Sequence, residues 1–92
     1  MEEENGSLNV FDSAAEMLDV WASIAWSKMG LRPDIMSGKV EPDLPQAKVA
    51  INIAAFLAET VEARLDEEDR RRVQGLVRDL KLNYVQKSRE GT

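Results

Sequence analysis

The stretch "MGLRPDIMSGKVEPDLP", residues 29–45, decides the fold. It holds two of the five glycines and all three prolines, and its Gly38-Lys39 pair can mark a loop that grips phosphate. A phosphate loop would put a strand before it and make the chain α/β. A connector would join two helices. The phosphate loop needs G-x-x-x-x-G-K and then Ser or Thr, set between a strand and a helix. Here seven residues separate Gly30 from Gly38, Val40 follows Lys39, and no strand pattern precedes. Asp34, Glu41 and Asp43 also lack the alternating oxygen ligands of a calcium loop. The connector reading fits each residue. Gly30 closes one helix, Pro33 blocks its resumption, Ser37-Gly38 makes a turn and Asp43 opens the next helix.

Upstream, residues 9–29 read as a helix. Asp12, Glu16, Asp19, Ser23 and Ser27 recur at spacings of three and four, on one narrow polar stripe. Nearly everything else is apolar, including Phe11, Leu18, Trp21, Ile24 and Trp26. An ordinary surface helix has a much narrower apolar face. With Met29 as C-cap and Gly30 beyond it, Leu31 and Trp26 occupy the paired positions of a Schellman closure. Lys28 suits the negative end of the helix dipole.

Downstream, Asp43 is the expected N-cap, with Gln46 reaching back and Pro45 in the first turn. Lys48, Asn52, Glu59 and Glu62 form a polar stripe. Ala47, Ala50, Ile51, Ala54, Leu57, Ala58, Val61 and Leu65 form a broad apolar face, whose four alanines invite close approach of a neighbouring backbone. Val49, Ile53 and Phe56 form a second apolar patch. A third helix opens near Asp66, where "DEED" precedes "RRR". Asp66–Arg70, Glu67–Arg71 and Glu68–Arg72 are spaced for ion pairs with the acid first. Val73, Leu76, Val77, Leu80 and Tyr84 make its apolar stripe. The expectation is an all-α, three-helix up-down-up bundle over residues 9–87, completed by homodimerisation. Residues 1–8 are expected to be a disordered acidic lead, and residues 88–92 to fray.

Ninety-two residues make one domain at most. A chain this short buries about 60–65% of its unfolded surface, so its core is small. It has no cysteine to staple that core or bind zinc, and no histidine. That removes the commonest general base and metal ligand. The uncharged run Val20 to Ser27, like the longer one from Val49 to Ala58, is far short of the roughly 20 residues that span a bilayer. The acidic N-terminus lacks the basic-then-apolar pattern of a secretory signal, so a cytoplasmic location is expected. The net charge of −5 is uneven. Residues 1–69 carry fifteen acids against five bases, and residues 70–92 carry two acids against seven bases.

In order and spacing, Met29, Gly30, Pro33, Asp34, Gly38, Asp43, Leu44, Ala47, Ile51 and Leu57 resemble a known pattern. Leu76, Leu80, Lys81, Tyr84 and Val85 continue it. The pattern is that of the bacterial family called domain of unknown function 1844, over about residues 11–87. Family members often place a glycine turn between the second and third helices. Here Ala63 stands there, and alanine resists positive φ. Either the bend shifts toward Asp66 or the second helix runs longer. The resemblance implies a small bacterial helical protein and carries over no catalytic residue. The occurrence of some members near translation genes points to RNA or the ribosome as an alternative partner.

Four functions follow from the residues. Without His or Cys, and with almost no ionisable group on the apolar faces, catalysis is not expected, nor is a cofactor or metal. Arg70, Arg71, Arg78 and Lys81 gather on one side of helix three and can grip phosphates, which is the nucleic-acid alternative. Trp21 and Trp26 can anchor at a membrane surface, but the polar stripe beside them is acidic rather than basic. The leading expectation is a homodimeric protein-binding module. Its self-association face comprises Phe11, Leu18, Trp21, Ile24, Trp26, Ile53 and Phe56, because one short chain cannot cover so much apolar girth.

Overall fold

The computed structural model describes residues 7–91. They form three helices with no strand among the described residues: α1 Val10–Lys28, α2 Leu44–Glu62 and α3 Glu67–Glu90. The acidic lead expected over residues 1–8 lies, through residue 6, outside the described residues. Each helix starts on a local side-chain cap. Asn9, Asp43 and Asp66 accept from the backbone N–H of Asp12, Gln46 and Asp69 at 3.0, 3.1 and 2.8 Å. Gln46 reaches back as expected, but its Nε2 donates to the Asp43 carboxylate at 3.0 Å rather than receiving a backbone N–H.

The end of α1 closes as a Schellman motif. Leu31 N–H donates to Trp26 O and Gly30 N–H to Ser27 O, both at 3.0 Å. Gly30 has φ +82°, and a Cβ there would sit 3.2 Å from the Pro42 ring. Gly30→Ala is therefore expected to lower stability by about 1–2 kcal/mol from the left-handed backbone, before Pro42 moves. Urea unfolding of the variant checks this, with an unchanged midpoint counting against the motif.

The connector is an ordered lid on the end of α1. Asp34 Oδ1 accepts from Met36 and Ser37 N–H at 2.8 and 3.0 Å. Asp34 N–H donates to Lys39 O and Gly38 N–H to Asp34 O, both at 2.8 Å. Lys28 Nζ lies 3.4 Å from Asp34 Oδ2, and Asp43 N–H donates to Lys28 O at 2.7 Å. Ser27, read as part of a solvated stripe, is buried beneath this lid and donates to Pro33 O at 3.3 Å. The N–H groups of Ser37 and Met36, with Lys28 adding, hold the Asp34 carboxyl below the usual carboxylate range. A depressed folded pKa gives stability that is present above the unfolded value, about 3.9. That stability is lost as pH falls through the lower folded value. The acid limb of unfolding below pH 4 is expected to flatten in Asp34→Asn. Superimposable acid limbs would exclude this contribution.

The α2–α3 corner needs no left-handed residue. Helix α2 stops at Glu62 instead of running on, and Ala63 is right-handed at φ −67°. Arg64 and Leu65 N–H donate back to Val61 and Glu62 O in tight turns. Arg70 adds to these from outside: its Nε gives Glu62 O a second donor at 3.3 Å, and its Nη2 donates to Leu65 O at 3.1 Å. A side chain eight residues away thus helps close the corner. Arg70→Ala is expected to cost about 1–3 kcal/mol, and Arg70→Lys nearly as much, because an ammonium cannot fork across two carbonyls. Thermal melts of both variants decide it. A lysine variant equal to wild type would show that charge alone suffices.

Topology is up-down-up. Arg64, after α2, lies over the Phe11 ring at the start of α1, 4.2 Å from its centroid. Lys87, Glu90 and Gly91 at the end of α3 share a cleft with Met29, Gly30 and Leu44. Helix α3 continues to Glu90, past the point where fraying is expected. Lys87 pairs with Glu90 at 3.3 Å, and Gly91 N–H donates to Lys87 O. Helix α1 packs chiefly on α2, and α3 packs on α2 while scarcely reaching α1.

Candidate interaction surface

The core is built from small residues. Ala47, Ala50, Ala54 and Ala58 of α2 are all buried, as are Ala14, Ala22 and Ala25 of α1. They let the helix axes approach closely, as expected from the alanine face. Among the alanines sit six larger side chains: Leu18, Met29, Ile51, Val61, Val73 and Leu80. Further large apolar side chains lie on an outer flank. On α1, Val10, Met17 and Val20 are exposed, and Trp21 and Ile24 are half-buried. On α2, Val49 is 57% exposed and Phe56 67%, with Ile53 half-buried between them. The two stripes meet in an open cleft of ≈ 380 Å³ walled chiefly by Trp21, Ile24, Val49 and Ile53, with Lys28 and Gln46 also lining it. Beside it, Ile24, Ser27, Lys28, Asp34, Ile35 and Met36 line a second hollow of ≈ 330 Å³. The flank carries one charge pair, Lys28–Asp34, already closed on itself.

Of the seven residues expected on a self-association face, four lie on this flank: Trp21, Ile24, Ile53 and Phe56. Three do not. Leu18 is 2% exposed and belongs to the chain's own core. Phe11 sits at the hairpin end beneath the Arg64 guanidinium. Trp26 is five residues from Trp21, about 140° around the helix at roughly 100° per residue. It faces the other flank, where the Arg32 guanidinium lies 5.9 Å from its ring centroid and donates to Ser23 Oγ. Residues the sequence reading passed over also belong here: Met17 and Val20 at helical spacing, and Ile35 and Met36 on the connector. The signal for the last two is their place inside an Asx turn, a position that usually takes polar residues.

The four expected phosphate-gripping residues are not a free row. Arg70 is spent on the α2–α3 corner and pairs with Glu67 at 3.1 Å. Arg71 pairs with the same Glu67 at 3.3 Å. Arg78 lies 3.8 Å from Asp79. Lys81 is exposed. Of the three expected pairs only Glu67–Arg71 forms. Asp66 is occupied as the N-cap, and Arg72 turns to Asp69 at 3.3 Å. Among the described residues, no group of three or more His, Cys, Asp or Glu is placed to hold a metal ion. No helix among the described residues is long and apolar enough to cross a membrane.

No curated protein and no solved structure matches the chain. A family model does match, over residues 15–86, which takes in all of α2, most of α1 and α3, and both connectors. The matched span covers the Gly30 end of α1, the Asp43 and Asp66 caps, and all of the alanine seam and outer flank except Ala14 and Val10. The chain belongs to the family described as domain of unknown function (DUF1844).

Proposed function

We propose that this chain is a non-catalytic, cytoplasmic protein-binding module that works as a homodimer, joined through the outer flank of the α1–α2 hairpin. The observation that carries the reading is the inversion of side-chain size. Seven alanines take up more than half of the buried apolar positions, while Met17, Val20, Val49 and Phe56 stand in water. Burying a large aliphatic or aromatic side chain is worth about 1.5–3 kcal/mol, so a chain that needed to satisfy only itself would gain by turning these inward. Helix α3 leaves the flank uncovered, since it packs on α2 away from α1.

The size of the flank is adequate. A 19-residue helix is about 28 Å long, and two helices side by side are about 20 Å across. That footprint of roughly 550 Å², with the connector added, approaches the roughly 800 Å² per partner of stable interfaces. The near absence of charge within it matches the charge-depleted centre of such interfaces. The basic residues of α3 do not support a second reading, because acids of the same helix lie against three of the four. Sedimentation equilibrium at micromolar concentration is expected to give twice the 10.3 kDa chain mass. A concentration-independent monomer would overturn the proposal.

A further inference from the structure

We propose that two copies close on one another reciprocally, the Ile35–Met36 tip of each entering the Trp21/Ile24/Val49/Ile53 cleft of the other. This rests on the homodimer reading and adds the partner's contribution to the site. Three observations carry it. First, the tip is a displayed apolar pair on a fixed support. Ile35 is 74% and Met36 93% exposed, yet the turn beneath them is held by Asp34 through Met36 N–H, Ser37 N–H, Lys39 O and Gly38 N–H. Ordering a loop costs conformational entropy, and ordering it ahead of binding lowers the cost of association.

Second, the cleft fits. Its ≈ 380 Å³ has room for about a dozen waters at roughly 30 Å³ each, which accommodates the eight heavy atoms of an Ile and a Met side chain. Methionine adapts to an irregular cleft wall. Third, tip and cleft are neighbours. Ile24 and Lys28 line both hollows, so tip and cleft lie side by side on one flank. A twofold axis lying in the interface between them sets each tip over the partner's cleft and brings Ile24 against its own copy. The tip does not suit an anionic bilayer, because Arg32 and Lys39 are cancelled by Asp34 and Glu41 in the same loop.

The test uses the full chain. The double variant Ile35→Ser/Met36→Ser removes exposed side chains and is expected to raise the dimer dissociation constant at least tenfold, with the circular dichroism spectrum unchanged. An unchanged dissociation constant overturns reciprocal insertion and leaves the dimer standing, whereas a monomeric wild type overturns both. The lack of native cysteine permits a second measurement. Under mild copper-catalysed air oxidation, Ile24→Cys is expected to link to its own copy. Met36→Cys is expected to link to a Val49→Cys chain in a mixture, but poorly to itself. Met36→Cys linking mainly to itself, with no mixed product, overturns the geometry. Binding to phosphatidylserine vesicles that the double serine variant abolishes, with dimer mass unaltered, overturns it in favour of a bilayer.

Discussion

Trp21→Glu is expected to turn the dimer into a folded monomer at micromolar concentration. Trp21 lies partly against the core and partly against the outer cleft. In a dimer, the second part is covered by the other copy. Removing a central aromatic anchor costs about 2–4 kcal/mol of binding. An unpaired carboxylate placed there would need to lose its water or protonate, at a further cost of several kcal/mol. The dissociation constant is therefore expected to rise by at least two to three orders of magnitude. Ile24→Glu should behave alike. Asp19→Lys, on the polar stripe of the same helix, should leave the mass unchanged. Light scattering reads the mass and circular dichroism the fold. If both glutamate variants remain folded dimers, the hairpin flank is not the interface.

Leu80→Ala is expected to be the most damaging single truncation in α3. Leu80 has no exposure at all and, with Val73, forms the buried part of the α3 stripe. Partly buried Leu76, Val77 and Tyr84 pack around it. A truncation of this kind costs about 2–5 kcal/mol, because the cavity collapses only in part. A domain of this size has about 5–14 kcal/mol in hand. At roughly 4–8 °C per kcal/mol, the melting temperature should fall by on the order of 10–30 °C. Helix α3 has little contact with α1 to fall back on, so the loss at one point of the α2 contact loosens the whole helix. Leu82→Ala, two residues on and 61% exposed, should change stability by no more than about 0.5 kcal/mol. A Leu80→Ala variant as stable as Leu82→Ala would show that α3 is not anchored there.

Two helix ends were legible because their chemistry is local: Asp43 caps over three residues and Gly30 closes α1 over five. Such distances are set by the helix itself, so residue type and spacing suffice. Asn9 and Asp66 also cap over three residues, but Asn9 reads as the first helical residue and Asp66 as an ion-pair partner of Arg70. The ion pairs were less legible. Each arginine of "RRR" can reach an acid three or four residues back, and once Asp66 was taken as a cap the rest rearranged. Arg70 as the stopper of α2 was hidden, because its acceptors belong to a corner whose shape exists only after α3 has folded back. Ser27 was hidden for a like reason: the connector that buries it is ordered by Asp34, six to seven residues further on.

By itself, the sequence determined three helices, their order, the breaks between them and the presence of more apolar surface than three helices cover. These follow from short-range backbone chemistry and from the 3.6-residue period. Only the tertiary structure decided which apolar flank went inside. Periodicity marks Ala50 and Ile53, or Leu18 and Trp21, as apolar without ranking them. The ranking comes from packing: the alanine seam lets α1 and α2 approach closely around Leu18, Met29 and Ile51, and Met17, Val20, Val49 and Phe56, on the outer side of the same helices, are left exposed.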